Sequence, residues 1–247
     1  MNIFFRLLFI FEILFSLNSL FAQEKKNAIV ENYQKLDPRE AVRAILIDKQ
    51  NYKWLGTDKG LYRVISMDSE PELMISDSIS SLAEDKSEMV WFGNRKQQLI
   101  TEDQKQKIIL SDKNLEITCM SYFKGDIWVG TNNGLFKVSD DQNKILNHYT
   151  IDNSKLKSNH INMLYSDKEG KLWVGTDNGV VIIDNKKWDQ YEKDHKITGA
   201  IATKDGIWLL AEKKMWLIYK EEGRDRWQDA AVKRGLSKGP VRAIVAD

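Results

Sequence analysis

Five tryptophans pace this chain: Trp54, Trp91, Trp128, Trp173 and Trp208, separated by 37, 37, 45 and 35 residues. This spacing constrains the fold more than any other feature. A unit of such length cannot bury its own apolar face and must stack on its neighbours. Three of the units write nearly the same nine residues: YKWLGTDKG at 52–60, DIWVGTNNG at 126–134 and KLWVGTDNG at 171–179.

Each unit reads as strand rather than helix. KLWVGTD and GLFKVSD are short and rich in β-branched and aromatic residues, and Asn-Asn-Gly or Asp-Asn-Gly separates such runs. Two apolar runs across such a turn form a tight β-hairpin, because Gly and Asn tolerate positive φ. Gly60, Gly134 and Gly179 are expected to carry that φ. Another apolar stretch precedes each hairpin (AVRAILID, ISSLAED, ITCMSYF, INMLYSD, ITGAIATKD), and a fourth follows it (ELMIS, KIILS, ILNHYTI, WDQYEKD, RWQDAAV). Four short strands per unit of about 40 residues is the sequence form of a propeller blade. No unit carries a long apolar stripe of 3.6-residue period, and the leucine-rich period is shorter than these spacings. The fold predicted is all-β: a β-propeller of four-stranded antiparallel blades, five recognisable and a sixth incomplete.

Two columns of the repeat have a packing role. Trp173 and Gly175 fall on one face of their strand, since strand side chains alternate. Blades are expected to pack through these Trp–Gly faces, each buried aromatic contributing about 1.5–3 kcal/mol. The alternative use of the tryptophans is an aromatic ligand cage. Two units depart from the pattern. The second, VWFGNRKQQLI, has no Gly in its turn, and the fifth, IWLLAEKKMWLIY, has Leu210 in place of the repeat Gly. Both hairpins are expected to turn differently.

Composition and motifs exclude several function classes. The 247 residues are 30% charged and 42% hydrophobic, as in a folded globular chain. A net charge of +1 without a Lys/Arg block gives no footprint for nucleic acid. His148, His160 and His195 occupy unequal repeat positions and form neither a His-x-His nor a His-Glu-x-x-His spacing, so no metal site is expected. There is no Gly-x-Ser-x-Gly nucleophile turn. Cys119, the single cysteine, lies mid-strand and suits packing better than nucleophilic attack. Asp48, Asp85 and Asp167 sit in strand-end turns, where carboxylates bond backbone N–H groups. The expectation is a non-enzyme without cofactor or metal.

A binding site in such a fold belongs near the axis, where the first strand of each unit is innermost. Aligning these strands gives a column of mostly small residues: Ala44, Ser81, Cys119, Met163, Gly199 and Ala243. The column just before it is polar throughout: Arg43, Ser80, Thr118, Asn162, Thr198 and Arg242. These six are the candidate ligand-binding residues at the channel mouth, with arginine suited to carboxylate or sulfate. Hydrogen bonding to neighbouring loops is the alternative use of the same groups.

The ends of the chain carry their own signals. Residues 1–22, MNIFFRLLFIFEILFSLNSLFA, have an early Arg6, an apolar run and Ala22 before a polar start, the layout of a secretory signal peptide. Residues 23–247 then form a single propeller domain, incomplete at the C-terminus. The stretch VRAIVAD at 241–247 repeats VRAILID at 42–48 and opens a sixth unit, while IVENYQ at 29–34 stands where an outer strand belongs. This reading predicts a fragment or shortened version of a longer six- or seven-bladed protein, unless 241–247 pair with 29–34 to seal the ring.

The segments LWVGTDNGV, IWVGTNNGLFKV and VRAILIDKQNYKWLGTDKGLYRV resemble the two-component regulator propeller repeat, over about residues 30–247. The resemblance implies an exported, most often periplasmic, ligand-sensing propeller of the kind found in bacterial hybrid histidine kinases. Its implied partners are a polar or acidic small ligand such as an oligosaccharide, and a histidine kinase sensor or another copy of the chain. Nucleic acid is not expected, nor is a membrane except through an uncleaved signal segment. An exported scaffold in a secretion or surface assembly is the second reading.

Overall fold

The structure, a computed structural model, describes residues 40–66, 68–110, 114–191, 195–211, 214–221 and 224–229. These residues hold twenty strands and no helix, in five four-stranded antiparallel sheets whose strands follow chain order. Blade 1 is β1 (Val42–Ile47), β2 (Lys53–Thr57), β3 (Leu61–Val64) and β4 (Glu72–Ile75). Blade 2 is β5 (Ile79–Glu84), β6 (Val90–Asn94), β7 (Gln98–Thr101) and β8 (Lys107–Ile109). Blade 3 is β9 (Ile117–Phe123), β10 (Asp126–Thr131), β11 (Gly134–Ser139) and β12 (Lys144–Tyr149). Blade 4 is β13 (Ile161–Ser166), β14 (Leu172–Thr176), β15 (Gly179–Asp184) and β16 (Lys187–Tyr191). Blade 5 is β17 (Ile197–Thr203), β18 (Gly206–Ala211), β19 (Lys214–Glu221) and β20 (Arg224–Asp229). The first strands pack on one another in chain order, from β1 through β5, β9 and β13 to β17, and so line the inner side of the array. The segments 29–34 and 241–247, with Arg242 and Ala243, lie outside the described residues.

The cores lie between blades. Trp54 and Leu61 of blade 1 meet Ile79, Leu82 and Phe92 of blade 2, and the next three junctions repeat this pattern. The repeat Gly is the socket of each junction. A Cβ on Gly56 would come within 2.7 Å of Ile79 Cγ2, and one on Gly130 within 2.6 Å of Ile161 Cγ2. Gly93 and Gly175 face Ile117 and Ile197 in the same way. In blades 1 to 4 the space left by the Gly beside the Trp is therefore filled by the first residue of the next blade's inner strand. Blade 5 has no such socket, because Leu210 fills the position and is 1% exposed.

The five tryptophans are between 0 and 7% exposed, which leaves no room for an aromatic cage. Three of them are clamped by the turn carboxylates. Asp48, Asp85 and Asp167 accept the indole N–H of Trp54, Trp91 and Trp173 at 2.7, 2.9 and 2.7 Å. Their other oxygens accept the backbone N–H of Tyr52, Met89 and Lys171. The turn role expected of these aspartates thus extends to the blade core. Trp208 donates instead to Thr203 Oγ1. Trp128 has no hydrogen-bond partner for its indole, and its ring stacks on Tyr149 at 5.8 Å.

The hairpin turns are built by threonine and glycine together. Thr57, Thr131 and Thr176 are fully buried, and their hydroxyls donate to the carbonyls of Gly60, Gly134 and Gly179. Gly134 and Gly179 have φ of 105° and 100°, as expected. The two residues before each do not have positive φ, so the left-handed residue follows the turn. Gly60 departs from the expectation and has no positive φ. Its N–H points back to Thr57 Oγ1, whereas those of Gly134 and Gly179 reach out to the carbonyls of Asn159 and His195 ahead of the next blade.

Blade 1 differs from the others on one face. Ile45, Ile47 and Leu73 are 64, 55 and 52% exposed, while Leu82 and Met120, at the repeat position of Ile45, are both 7% exposed. The face that blades 2 to 5 bury against the preceding blade is thus exposed in blade 1 at Ile45, Ile47 and Leu73, while Leu55 and Val64 between them are buried in a small cluster with Val42 and Tyr62.

Candidate functional site

In every blade the pairing of first and second strands skips one residue. Val42 faces Thr57 and Ala44 faces Gly56, leaving Arg43 without an opposite. The same step leaves out Ser80, Thr118, Asn162 and Thr198. Each is a β-bulge, which frees a residue from the ladder and re-aims its side chain. The polar column is therefore a row of five bulges at one end of the inner strands. No sequence signal marks a bulge as such. The recurrence of a polar residue between apolar neighbours is its trace.

The bulge residues have different fates. Ser80 Oγ donates to the Gly93 carbonyl, and Thr118 Oγ1 donates to the Ile161 carbonyl of the next blade at 2.6 Å. Asn162 Nδ2 donates to Asp177, which also binds His160 and Lys196. Burial raises the pKa of Asp177, but the hydrogen bonds from Asn162 and Lys196, with His160 nearby, outweigh it and hold the carboxyl below its ordinary range. Arg43 and Thr198 are exposed.

The structure brings two of the six sequence-predicted residues, Arg43 and Ser80, into one cleft of about 510 Å³ across blades 1, 2 and 3. Thr118, Asn162 and Thr198 lie outside its lining. Buried Leu115 and Ile117 give the cleft an apolar floor. Arg95, Asn114 and Glu116 add exposed polar groups that the aligned columns did not single out. Arg95 comes from the turn of blade 2, the unit whose turn lacks glycine.

That turn is built differently. Asn94 stands where blades 1, 3 and 4 have threonine. Its side chain accepts the N–H groups of Lys96 and Gln98 and donates to Asp77. Gln97 supplies the left-handed residue, with φ of 58°. In blades 1, 3 and 4 the next turn residue, Asp58, Asn132 or Asp177, bonds through its backbone N–H to the carbonyl just before the first strand. Asp58 and Asn132 also accept a backbone N–H there, from Ala41 and Glu116. Among the described residues, Arg95 makes no such bond, and Ser78 Oγ at the corresponding place is buried without a partner.

Other reactive groups are committed elsewhere. His148 stacks on Phe136 at 3.9 Å and bonds the Asn133 carbonyl. Desolvation pushes the Cys119 thiol up to about 12, and its sulfur lies against Gly130. Among the described residues no group of His, Cys, Asp and Glu is arranged to hold a metal ion. Among the described residues no helix is long and apolar enough to cross a membrane. A second, shallower cleft of about 480 Å³ lies on the outer side of blades 3 and 4, beside Tyr149, Trp188, Lys155 and Lys186.

Residues 155–178 match the two-component regulator propeller model. No curated protein matches the chain. Among solved structures, the extracellular domain of the hybrid two-component system protein BT3049 of B. thetaiotaomicron superposes with a TM-score of 0.70 at 22% identity, over 86% of this chain and 31% of that domain. A virginiamycin B lyase from Staphylococcus aureus superposes with a TM-score of 0.63 at 14% identity, over 80% of this chain and 73% of the lyase. PorZ of Porphyromonas gingivalis, a surface component of the type-IX secretion system, gives a TM-score of 0.57 at 12% identity, over 83% of this chain and 37% of its own. At these identities the likeness is one of fold, and the chain spans about a third of the sensor domain.

Proposed function

We propose that this chain, which carries the two-component regulator propeller repeat, is an exported ligand-sensing propeller module. In this reading residues 1–22 direct export, residues 23–247 form one domain, and the protein works in the periplasm without a catalytic step. Its ligand is small and polar, and the cleft across blades 1 to 3 receives it. The observation that carries the reading is the cleft itself. It lies on the inner strands of a fold like that of a two-component sensor's extracellular domain, and groups not used by the fold line it. The channel-mouth column contributes Arg43 and Ser80 directly. Thr118, Asn162 and Thr198 shape the adjoining rim. Arg242 belongs to the same repeat column.

The output of such a module passes to a histidine kinase sensor, on the same or another polypeptide, or to a second copy. The test is a thermal-shift screen of the whole chain against acidic and neutral oligosaccharides, repeated with Arg43→Ala. A saturable rise in Tm that Arg43→Ala removes supports the reading. A Tm that no ligand moves, with a stable surface complex recovered instead, favours the scaffold reading, for which the likeness to PorZ is the supporting observation.

A further inference from the structure

Resting on the sensing reading, we infer that Arg43 and Arg95 form an anion subsite that selects ligands bearing a carboxylate or sulfate group. The two come from different blades, one from an inner-strand bulge and one from a hairpin turn, yet they line the same cleft. Neither guanidinium makes a hydrogen bond or ion pair with a described residue. Arg63, by contrast, is bound to Glu72 at 2.8 Å and lies over Tyr52 and Trp54.

The repeat supplies an internal control for Arg95. At its place in the turn, blades 1, 3 and 4 carry Asp58, Asn132 and Asp177, all of which tie the turn to the start of the first strand. In blade 2 that structural duty has moved to Asn94 and Lys96, which hold Asp77. The turn is thus anchored without Arg95, and the arginine replaces an acidic or neutral residue at the mouth of a cleft. Lys96 is neutralised by Asp77 at 3.1 Å, so the free positive charge of the turn is that of Arg95. Two guanidiniums at one opening favour a delocalised oxyanion, carboxylate or sulfate, to which each offers paired N–H donors. Glu116, also at the cleft, repels a second anionic group placed beside it and accepts hydroxyl donors. The ligand favoured is therefore one anionic group on a polar frame rather than a polyanion.

The experiment titrates the whole chain, by ¹H–¹⁵N chemical-shift mapping, with two matched pairs: methyl glucuronide against methyl glucoside, and glucose 6-sulfate against glucose. The anionic member of each pair is expected to shift Ser80, Arg95 and Ile117 and to bind at least about tenfold tighter than its neutral mate. Arg95→Asn, which restores the residue of blade 3, is expected to weaken anion binding about tenfold and leave Tm unchanged. Arg43→Ala is expected to do the same. Equal binding of charged and neutral mates in this cleft, unaltered by Arg95→Asn, overturns the subsite and leaves the sensing reading standing. Shifts confined to the cleft of Lys155 and Lys186, or no binding of either anion at the highest soluble concentration, also overturn it.

Discussion

The turns of blades 2 and 4 start from the same place in the repeat and end with different roles. In blade 4 the threonine and the aspartate of the turn are both used. Thr176 closes on the Gly179 carbonyl, and Asp177 gathers His160, Asn162 and Lys196. In blade 2 the threonine has become Asn94, the glycine's conformation falls to Gln97, and Arg95 is released toward a cleft. The interior of blade 2 shows no such departure: Trp91 is clamped by Asp85, and Gly93 receives Ile117. The difference teaches that the repeat is kept where blades must dock and given up where a surface can do something else.

The largest expected effect sharpens that division. Gly130→Val drives methyls into Cys119 and Ile161, whose atoms lie 2.5 and 2.6 Å from a Cβ at that position. Overpacking of this kind costs about 3 kcal/mol or more, or roughly 6–12 °C in Tm for a chain of this size. Gly93→Val in blade 2 should also destabilise, though by less, because Ile117 Cγ2 and Cδ1 lie 2.9 and 3.2 Å from a Cβ there. No loss at Gly93 by thermal denaturation would mean that the core of blade 2 is as irregular as its turn.

The next effect separates blade 1 from the rest. Leu82→Ala removes a side chain that is 7% exposed and should cost about 2–3 kcal/mol. Ile45→Ala at the same repeat position, 64% exposed, should stay within about 0.5 kcal/mol. Equal losses in urea unfolding would show that something covers the blade 1 face in solution.

Asp167→Ala comes next. It leaves the buried Trp173 indole and the Lys171 amide without their acceptor, at a cost of about 2 kcal/mol. Trp128, which already has no such acceptor, marks blade 3 as the one whose Trp packs without this bond. Asp167→Asn, which keeps an acceptor oxygen, should recover about half of the loss in Tm.

The smallest effect is a gain. Asp140 follows β11 and is buried, with neither carboxylate oxygen hydrogen-bonded and Lys86 Nζ at 3.7 Å. Desolvation raises its pKa against the pull of Lys86, and Asp85, Asp141 and Asp126 push it the same way. Below the ordinary aspartate range both folded and unfolded chains hold the proton, and no penalty exists. As pH rises through that range toward the raised folded value, the unfolded chain releases its proton first and stability falls. Asp140→Asn should therefore raise Tm by about 2–4 °C at neutral pH, with the gain fading below the ordinary aspartate range. A gain that grows on acidification contradicts this assignment.

Much of the fold was legible because its determinants are local and repeated. The Trp period set the blades, and alternation placed Trp and Gly on one face before any partner was known. The identity of that partner was not legible, since Ile79, Ile117, Ile161 and Ile197 belong to the following unit and read there as ordinary strand residues. The polar column was visible, but not its cause: a bulge is a property of the pairing between two strands. Gly60 misled because its nonapeptide resembles the other two, while its N–H bond is set by where the next loop runs. Arg95 was missed because the site was sought along the inner strands, while the turns were compared only for their glycines and not at the position where Arg95 stands against Asp58, Asn132 and Asp177.

The central claim is that the irregular turn of blade 2 serves recognition rather than stability. The most direct test replaces the five residues 94–98 by the four of blade 3, Thr-Asn-Asn-Gly, which shortens the turn by one residue, and measures both Tm and the methyl glucuronide titration. The account predicts a Tm within a few degrees of the parent and a loss of glucuronide binding of about tenfold or more. Binding that survives the replacement would contradict it.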